Sequence, residues 1–130
     1  MKILLDTNAL IWLLSQEDGG LLGKQARASI HSADIVYVSS VSILEIQIKT
    51  MLGKIKSSPD LIQDIDLAGL KNLSFDTSHA NAIGNFSNLS KHDPFDRMLL
   101  AQSQVESLVL LTSDSVLLDL KLPFILNARK

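Results

Sequence analysis

Short apolar runs alternate along this chain with longer stretches that have the period of an amphipathic helix. Such alternation is typical of an α/β fold in which helices connect the strands of a mainly parallel sheet. It predicts strands at 3–5, 35–38, 73–75, 108–112 and 124–126. It predicts helices at 9–15, 24–32, 41–52, 60–71, 78–85 and 94–106, with a further turn or two after Asp114. We therefore expect a small, mainly parallel sheet flanked by helices.

The length and composition favour one domain with one core. The chain has 130 residues, of which 46% are hydrophobic and 20% are charged, and it has no cysteine. No apolar run approaches the roughly 18 residues of a membrane span, and the first residues contain no signal-peptide core. We therefore expect residues 1–130 to form a single cytoplasmic domain with no membrane partner. The absence of cysteine excludes disulfides and thiolate metal ligands.

Two aspartates follow predicted strands closely. Asp6 lies between the strand at 3–5 and a helix, and Asp114 comes two residues after the strand at 108–112. The carboxyl ends of parallel strands share one edge of a sheet, where open α/β sheets bind ligands. Each aspartate could instead cap a helix, and Asn8 could be the cap beside Asp6. Taken singly, capping is the simpler interpretation of both aspartates.

A third carboxylate, Glu45, lies on the predicted helix 41–52 close to its apolar face. At about 100° per residue, Glu45 falls near the centre of an apolar stripe. The stripe consists of Val41, Leu44, Ile48 and Leu52. A capping box between Ser42 and Glu45, or a Glu45–Lys49 ion pair, would explain this carboxylate without a function. A functional role and these structural roles stay equally open for Glu45 alone.

A fourth carboxylate, Asp96, lies in the first turn of the predicted helix 94–106. Asp93 and Pro94 form a typical helix start, with Asp93 as the cap and Pro94 at the first helical position. Asp96 would be favoured there by the helix dipole. It also shares a helix face with Leu99 and Leu100, so we expect its side chain to point inward towards the sheet.

Together, these four carboxylates would converge on one edge of a small sheet. Clustered carboxylates repel one another and call for a cation, and all-oxygen ligands select hard ions such as Mg²⁺ or Mn²⁺. A divalent ion in such a site suits phosphoryl chemistry, because it activates water and neutralises charge on a phosphate. The sequence therefore predicts a Mg²⁺ or Mn²⁺ site.

The net charge of −2 argues at first against a nucleic-acid partner. Setting aside the four clustered acids leaves 10 of the 14 acidic residues against 12 basic ones, so the remaining surface is mildly basic. Lys49 lies one helical turn after Glu45, and Arg97 lies next to Asp96. We expect these two side chains to contact the phosphates of a nucleic acid at the rim of the site.

The segments around these acids resemble the PIN-domain family, and within it the VapC-type toxins of bacterial type II toxin–antitoxin pairs. The similar stretches are LLDTNAL at 4–10, SSVSILEI at 39–46, GKI at 53–55, HDPFDRMLLAQ at 92–102 and LLTSD at 110–114. They extend over nearly the whole chain. Each stretch is weak alone, but their order and spacing are specific. The resemblance implies a PIN-like α/β fold.

The resemblance also implies a Mg²⁺- or Mn²⁺-dependent endoribonuclease that hydrolyses RNA phosphodiesters to a 5′-phosphate and a 3′-hydroxyl. The residues that match the family's catalytic acids are Asp6, Glu45, Asp96 and Asp114. In the family, the metal is held chiefly by the positions of Asp6 and Asp96, and the other carboxylates help directly or through water, with Asp114 counted here as a metal ligand. Thr112 and Asn8 match supporting positions. His92 and Asp93 are assigned to loop anchoring and capping rather than to metal binding.

VapC-like proteins resemble one another in forming homodimers and in being inhibited by a cognate VapB-like antitoxin, so both partners are expected by resemblance. Two other functions compete with the nuclease. Phosphotransfer through a phosphorylated Asp6 is poorly supported, because dehalogenase-like enzymes require a second aspartate where this chain has Asn8. A non-catalytic PIN-like scaffold that binds RNA or protein stays open, and metal binding coupled to cleavage would separate it from the nuclease.

Overall fold

The computed structural model describes residues 1–15 and 19–130, which form a five-stranded sheet with helices on both faces. The strands are β1 (Lys2–Leu5), β2 (Ile35–Ser39), β3 (Lys71–Leu73), β4 (Val109–Thr112) and β5 (Ile125–Asn127). The α-helices are α1 (Thr7–Leu14), α2 (Lys24–Ser32), α3 (Ser40–Met51), α4 (Leu61–Leu67), α5 (Thr77–Ala82), α6 (Pro94–Glu106) and α7 (Ser115–Asp119). Two 3₁₀ segments lie at Gly19–Leu21 and Ile83–Leu89.

Every neighbouring pair of strands is parallel, and the strand order is β3-β2-β1-β4-β5. The sequence predicts a mainly parallel sheet, and this prediction is confirmed. Strand β1 shows why both faces must be covered, because Ile3, Leu4 and Leu5 are all fully buried. Ile3 and Leu5 belong to one hydrophobic core, whereas Leu4 belongs to the core on the other face. A strand buried on both faces is typical of a parallel sheet.

Apart from α3, the two cores take their apolar side chains from different helices. Helices α1, α2 and α4 contribute to the core of Ile3 and Leu5. Helices α6 and α7 contribute to the core of Leu4, together with the 3₁₀ segment Ile83–Leu89. Helix α3 contributes to both. No helix in the described ranges is both long enough and apolar enough to span a membrane.

Two boundaries differ from the sequence prediction around the third strand. The predicted helix 60–71 ends at Leu67, and β3 begins at Lys71 rather than at residue 73. The physical reason is Gly69, which has a φ of +76°. Glycine adopts this left-handed conformation without steric cost and commonly follows the last turn of a helix.

The predicted helix 78–85 is likewise shorter than expected. Helix α5 ends at Ala82, and the chain continues as the 3₁₀ segment Ile83–Leu89. Phe86 leaves helical geometry there, with φ −119° and ψ 49°, while its side chain is buried in the second core.

The order of the strands fixes where a ligand site can form. From the central β1 the chain adds β2 and β3 on one side, and it later adds β4 and β5 on the other. The carboxyl ends of β1 and β4 therefore flank a point at which the direction of winding reverses, the usual ligand position in open α/β sheets. The backbone N–H of Asp6 donates to the carbonyl of Leu111 at 2.9 Å and fixes the register at this edge.

Candidate metal centre

Asp6 is the most buried carboxylate at this edge, with 3% of its surface exposed. It caps α1, since its Oδ1 accepts a hydrogen bond from the backbone N–H of Ala9 at 2.7 Å. Its Oδ2 accepts from the Thr112 hydroxyl at 2.7 Å and from the Ser113 N–H at 3.1 Å. Burial raises the pKa of Asp6, and these hydrogen bonds oppose the rise. The capping interpretation is correct here, and it coexists with a position inside the acidic cluster.

Asp114 has the equivalent place after β4. Its Oδ2 accepts from the Leu117 N–H at 2.9 Å and so caps α7. Its own N–H donates to the Thr112 hydroxyl at 3.0 Å. That hydroxyl thus links Asp6 and Asp114 through one side chain, which is fully buried. Thr112 therefore contacts both aspartates, and its supporting role in the site stays a prediction.

Glu45 is held by hydroxyl groups and by a lysine. Its Oε1 accepts from the Thr7 hydroxyl at 2.6 Å, and Thr7 Oγ1 also lies 3.0 Å from Ser42 Oγ. Its Oε2 accepts from Lys49 Nζ at 2.5 Å. Thr7, Ser42 and Glu45 are all buried. The Glu45–Lys49 pair considered from the sequence is present, but the Ser42 capping box is not, since Ser39 caps α3.

The apolar stripe predicted for α3 is wrong, although its conclusion about Glu45 is right. Leu44 and Leu52 are 52% and 63% exposed. The buried face of α3 consists of Val41, Ser42, Glu45 and Ile46. The inward face is therefore mixed in polarity, and hydrophobicity alone points to a neighbouring face of the helix.

Asp96 lies in the first turn of α6, where Asp93 caps the helix through the Phe95 and Asp96 N–H groups at 2.8 and 3.4 Å. Its side chain is about one-fifth exposed. Burial raises the pKa of Asp96 to about 7, and repulsion by Asp114, Asp93, Asp6 and Glu45 adds to the rise. The carboxylates that follow β1 and β4 and those on α3 and α6 therefore interact at a single place.

Several further residues lie in or near this cluster. His92 Nε2 is 3.2 Å from Asp96 Oδ2 and 3.2 Å from Asp114 Oδ2. Sequence reasoning missed Thr7, whose hydroxyl contacts both Glu45 and Ser42. The signal available was the position of Thr7 directly after Asp6.

The remaining predicted residues are less closely tied to the cluster. Asn8 is exposed at the second position of α1. The cap beside it is Asp6, so the alternative of Asn8 as cap is wrong. Arg97 is partly buried beside Asp96. The Lys49 ammonium is within the cluster itself, and its hydrogen bond to Glu45 raises the pKa of Lys49.

The donor set fits a hard divalent cation. Among residues 1–15 and 19–130, Lys49 is the one lysine or arginine that forms a salt bridge with any of the four acids, and its partner is Glu45. Four carboxylates facing one ammonium leave an excess of negative charge, and the raised pKa of Asp96 reflects it. His92, Asp96 and Asp114 each offer one ligand atom within 4.8 Å of the others. Oxygen-rich ligands of this kind suit Mg²⁺ or Mn²⁺.

The parallel sheet with an acidic cluster at its switch point defines an open α/β protein with a ligand site at the carboxyl ends of its strands. Comparison with known proteins identifies the family. The model of the PIN domain matches residues 3–121. The chain therefore belongs to the PIN-domain family. No curated protein sequence matches the chain.

Solved structures with this fold include several toxin–antitoxin complexes. VapBC-1 from nontypeable Haemophilus influenzae aligns with a TM-score of 0.70 at 19% identity over 100% of both chains. VapBC2 from Rickettsia felis, bound to a DNA fragment from their promoter, aligns at 0.68 and 16% identity over 98% of both chains. A toxin–antitoxin complex from Klebsiella pneumoniae aligns at 0.66 and 18% identity over 97% of both chains. At these identities the likeness shows the shared fold.

Proposed function

We propose that this protein is a Mg²⁺- or Mn²⁺-dependent endoribonuclease and the toxin of a VapBC-type toxin–antitoxin pair. The observation that carries the proposal is the convergence of Asp6, Glu45, Asp96 and Asp114 on one edge of a PIN-domain sheet. Burial and mutual repulsion make this arrangement costly for a folded chain without a cation. A carboxyl pKa raised as far as that of Asp96 is typical of functional sites.

Asp6, Asp96 and Asp114 would hold the divalent ion, and Glu45 would complete the catalytic set. When bound, the ion supplies an activated water and neutralises charge that develops on the phosphate. Asp6 is kept in place by Thr112 and Ala9, and Glu45 is kept in place by Thr7. These contacts fix the carboxylate orientations before substrate arrives, so little reorganisation accompanies the reaction. Asn8 is exposed beside Asp6 and would orient the RNA there.

Two basic side chains would hold the RNA backbone beside the acids. Lys49 is partly exposed and already lies at Glu45, and Arg97 lies beside Asp96. Contacts of this kind position the phosphodiester and carry no base specificity. The hydrolysis we propose is an in-line attack by water that yields a 5′-phosphate and a 3′-hydroxyl.

The proposal extends to partners and organisation. The structural neighbours named VapBC and the Klebsiella pneumoniae toxin–antitoxin complex support a VapB-like antitoxin as the cognate inhibitor. A homodimer, a single domain over residues 1–130 and a cytoplasmic location belong to the same proposal. Co-expression with the product of an adjacent reading frame should yield a stable complex that does not cleave RNA.

The direct test measures cleavage of end-labelled structured RNAs by antitoxin-free protein in Mg²⁺ or Mn²⁺. We expect cleavage that EDTA abolishes and that Asp96→Asn reduces by about 10²-fold or more. Asp119→Asn is the matched control, because Asp119 is an exposed aspartate on α7. Products should carry a 5′-phosphate, whereas a 2′,3′-cyclic phosphate would contradict the proposal. RNA binding without metal-dependent cleavage would instead favour the non-catalytic scaffold.

A further inference from the structure

The backbone of His92 is held next to the acidic cluster. Its backbone N–H donates to the carbonyl of Leu89 at 2.9 Å, and Leu89 is buried in the second core. Asp93 caps α6 immediately after it, and Pro94 restricts the backbone at the first helical position. The backbone of His92 is therefore held on both sides, which fixes the place from which its imidazole extends.

The contacts of Nε2 differ from those of an ordinary ion pair. Nε2 is shielded from solvent and lies 3.2 Å from Oδ2 of both Asp96 and Asp114. Neither oxygen lies at an angle that makes a hydrogen bond, and within the described ranges Nε2 has no other hydrogen-bond partner. A buried ring nitrogen normally has a partner along its in-plane direction. In this structure neither of the two oxygens occupies the in-plane direction of Nε2, so another group can bind there.

The distances from Nε2 to the two carboxylate oxygens match those between ligands of one ion. Ligands about 2.1 Å from a metal lie about 3.0 Å apart at octahedral angles and about 3.4 Å apart at tetrahedral angles. The two separations from Nε2 fall between these values. His92 and Asp96 are four residues apart, and Asp114 comes from a different part of the chain, so one sequence-local motif cannot explain the convergence.

We propose that Nε2 of His92 is a ligand of the divalent ion bound by Asp96 and Asp114. This inference rests on the proposed function and makes its metal site a mixed nitrogen and oxygen site. Mg²⁺ is bound through oxygen, whereas imidazole is a ligand of transition metals. The site therefore prefers Mn²⁺ to Mg²⁺, and His92 is the residue that sets this preference.

The test is pulsed electron paramagnetic resonance of Mn²⁺ bound to the antitoxin-free chain, combined with calorimetric titration. Nitrogen of a directly bound imidazole modulates the Mn²⁺ echo, so we expect ¹⁴N modulation in the wild type. His92→Gln should abolish this modulation and weaken Mn²⁺ binding by about tenfold or more. Mutation of residues that only hydrogen-bond to a metal ligand already lowers metal affinity about 10–100-fold. Mg²⁺ binding should change less than Mn²⁺ binding. His31→Gln is the matched control, because His31 is exposed on α2.

The possible results separate this inference from the nuclease proposal. Mn²⁺ bound to the wild type without nitrogen modulation overturns the role of His92 and leaves the nuclease proposal standing. Nitrogen modulation that persists in His92→Gln also overturns it. Failure of the folded wild type to bind Mn²⁺ at all overturns both. The wild-type spectrum needs no substitution, so a variant that fails to fold does not prevent a decision.

Discussion

The hydroxyl of Thr112 donates a 2.7 Å hydrogen bond to Oδ2 of Asp6, across 106 residues of chain. The same hydroxyl oxygen accepts the N–H of Asp114 at 3.0 Å. Thr112 therefore uses its single proton for one site carboxylate and its lone pair for the backbone of another. This bond ties the ends of β1 and β4 at the edge where the acids meet.

Replacing Thr112 with valine should destabilise the protein and slow cleavage. The change leaves Oδ2 of a buried carboxylate with one fewer donor, so we expect the free energy of unfolding to fall by about 1–3 kcal/mol. The pKa of Asp6 should rise further above its ordinary value, because a hydrogen bond that lowers it is lost. Denaturant unfolding and the Mn²⁺-dependent cleavage rate measure the two effects. Thr112→Ser keeps the hydroxyl and should remain close to wild type in both.

The stability of the metal-free protein should depend on pH through Asp96. In the unfolded chain this carboxyl ionises near 3.8, but in the folded chain it keeps its proton until about pH 7. The folded state therefore binds more protons between these values, and the free energy of unfolding should fall as pH rises from about 4 to about 7. We expect a contribution of about 2 kcal/mol, measured by unfolding in EDTA at pH 5 and pH 8.

Asp96→Asn should flatten this pH dependence, since an amide does not ionise. Asp119→Asn, the exposed control, should leave the dependence unchanged. Mn²⁺ added at pH 8 should stabilise the wild type more than Asp96→Asn, because an ion that binds only the folded state raises its stability by mass action. Equal pH dependence in wild type and Asp96→Asn would show that repulsion at Asp96 is not its source.

Lys49 should have opposite effects on metal and on RNA. Its ammonium is bonded to Glu45 and competes electrostatically with a bound cation. Lys49→Met should therefore tighten Mn²⁺ binding a few-fold, measured by calorimetry. It should also weaken RNA binding. The slope of the logarithm of the RNA-binding constant against the logarithm of salt concentration should become shallower by about one. Lys54→Met is a suitable control for metal binding, since Lys54 is exposed in the turn after α3. If Lys49→Met changed Mn²⁺ binding and RNA binding in the same direction, this would contradict the dual role of Lys49.

Gly23 should not tolerate a side chain. A Cβ at this position would lie 1.9 Å from the carbonyl carbon of Lys130, a contact with backbone that cannot rotate away. Gly23→Ala should thus displace the 129–130 segment and lower the free energy of unfolding by about 1–3 kcal/mol. Gly20→Ala is the control, because nothing lies within 4 Å of its added Cβ. Equal stability of both variants would show that this segment is held only loosely.

Sequence reasoning reached the positions of the site more readily than the contacts within it. Asp6 and Asp114 are predictable because each follows a strand, and parallel strands end at a common edge. Asp96 is predictable from its helix face. Glu45 is inward as predicted, but the exposure of Leu44 shows that the supporting stripe is misplaced. Local periodicity describes one helix, whereas burial depends on what packs against it.

The contacts missed from the sequence all cross between elements. The Thr7 hydroxyl meets Glu45 only because α1 and α3 pack side by side. His92 reaches Asp114 only because the loop before α6 lies over the end of β4. The shortened α4 has a local cause, the left-handed Gly69, but glycine in a sequence does not reveal its φ. The role of Lys49 towards RNA is tested by Lys49→Met, and the roles of Asn8 and Arg97 stay predictions.

The strand order also determines when the site can exist during synthesis. The chain is made from its N-terminus, and β1 leaves the ribosome long before β4, its neighbour in the sheet. Asp6 and Glu45 therefore emerge early without Asp96, Thr112 or Asp114. The acidic cluster is therefore incomplete on the nascent chain until α6 and β4 have been made, and a cation has no complete set of ligands there before that point.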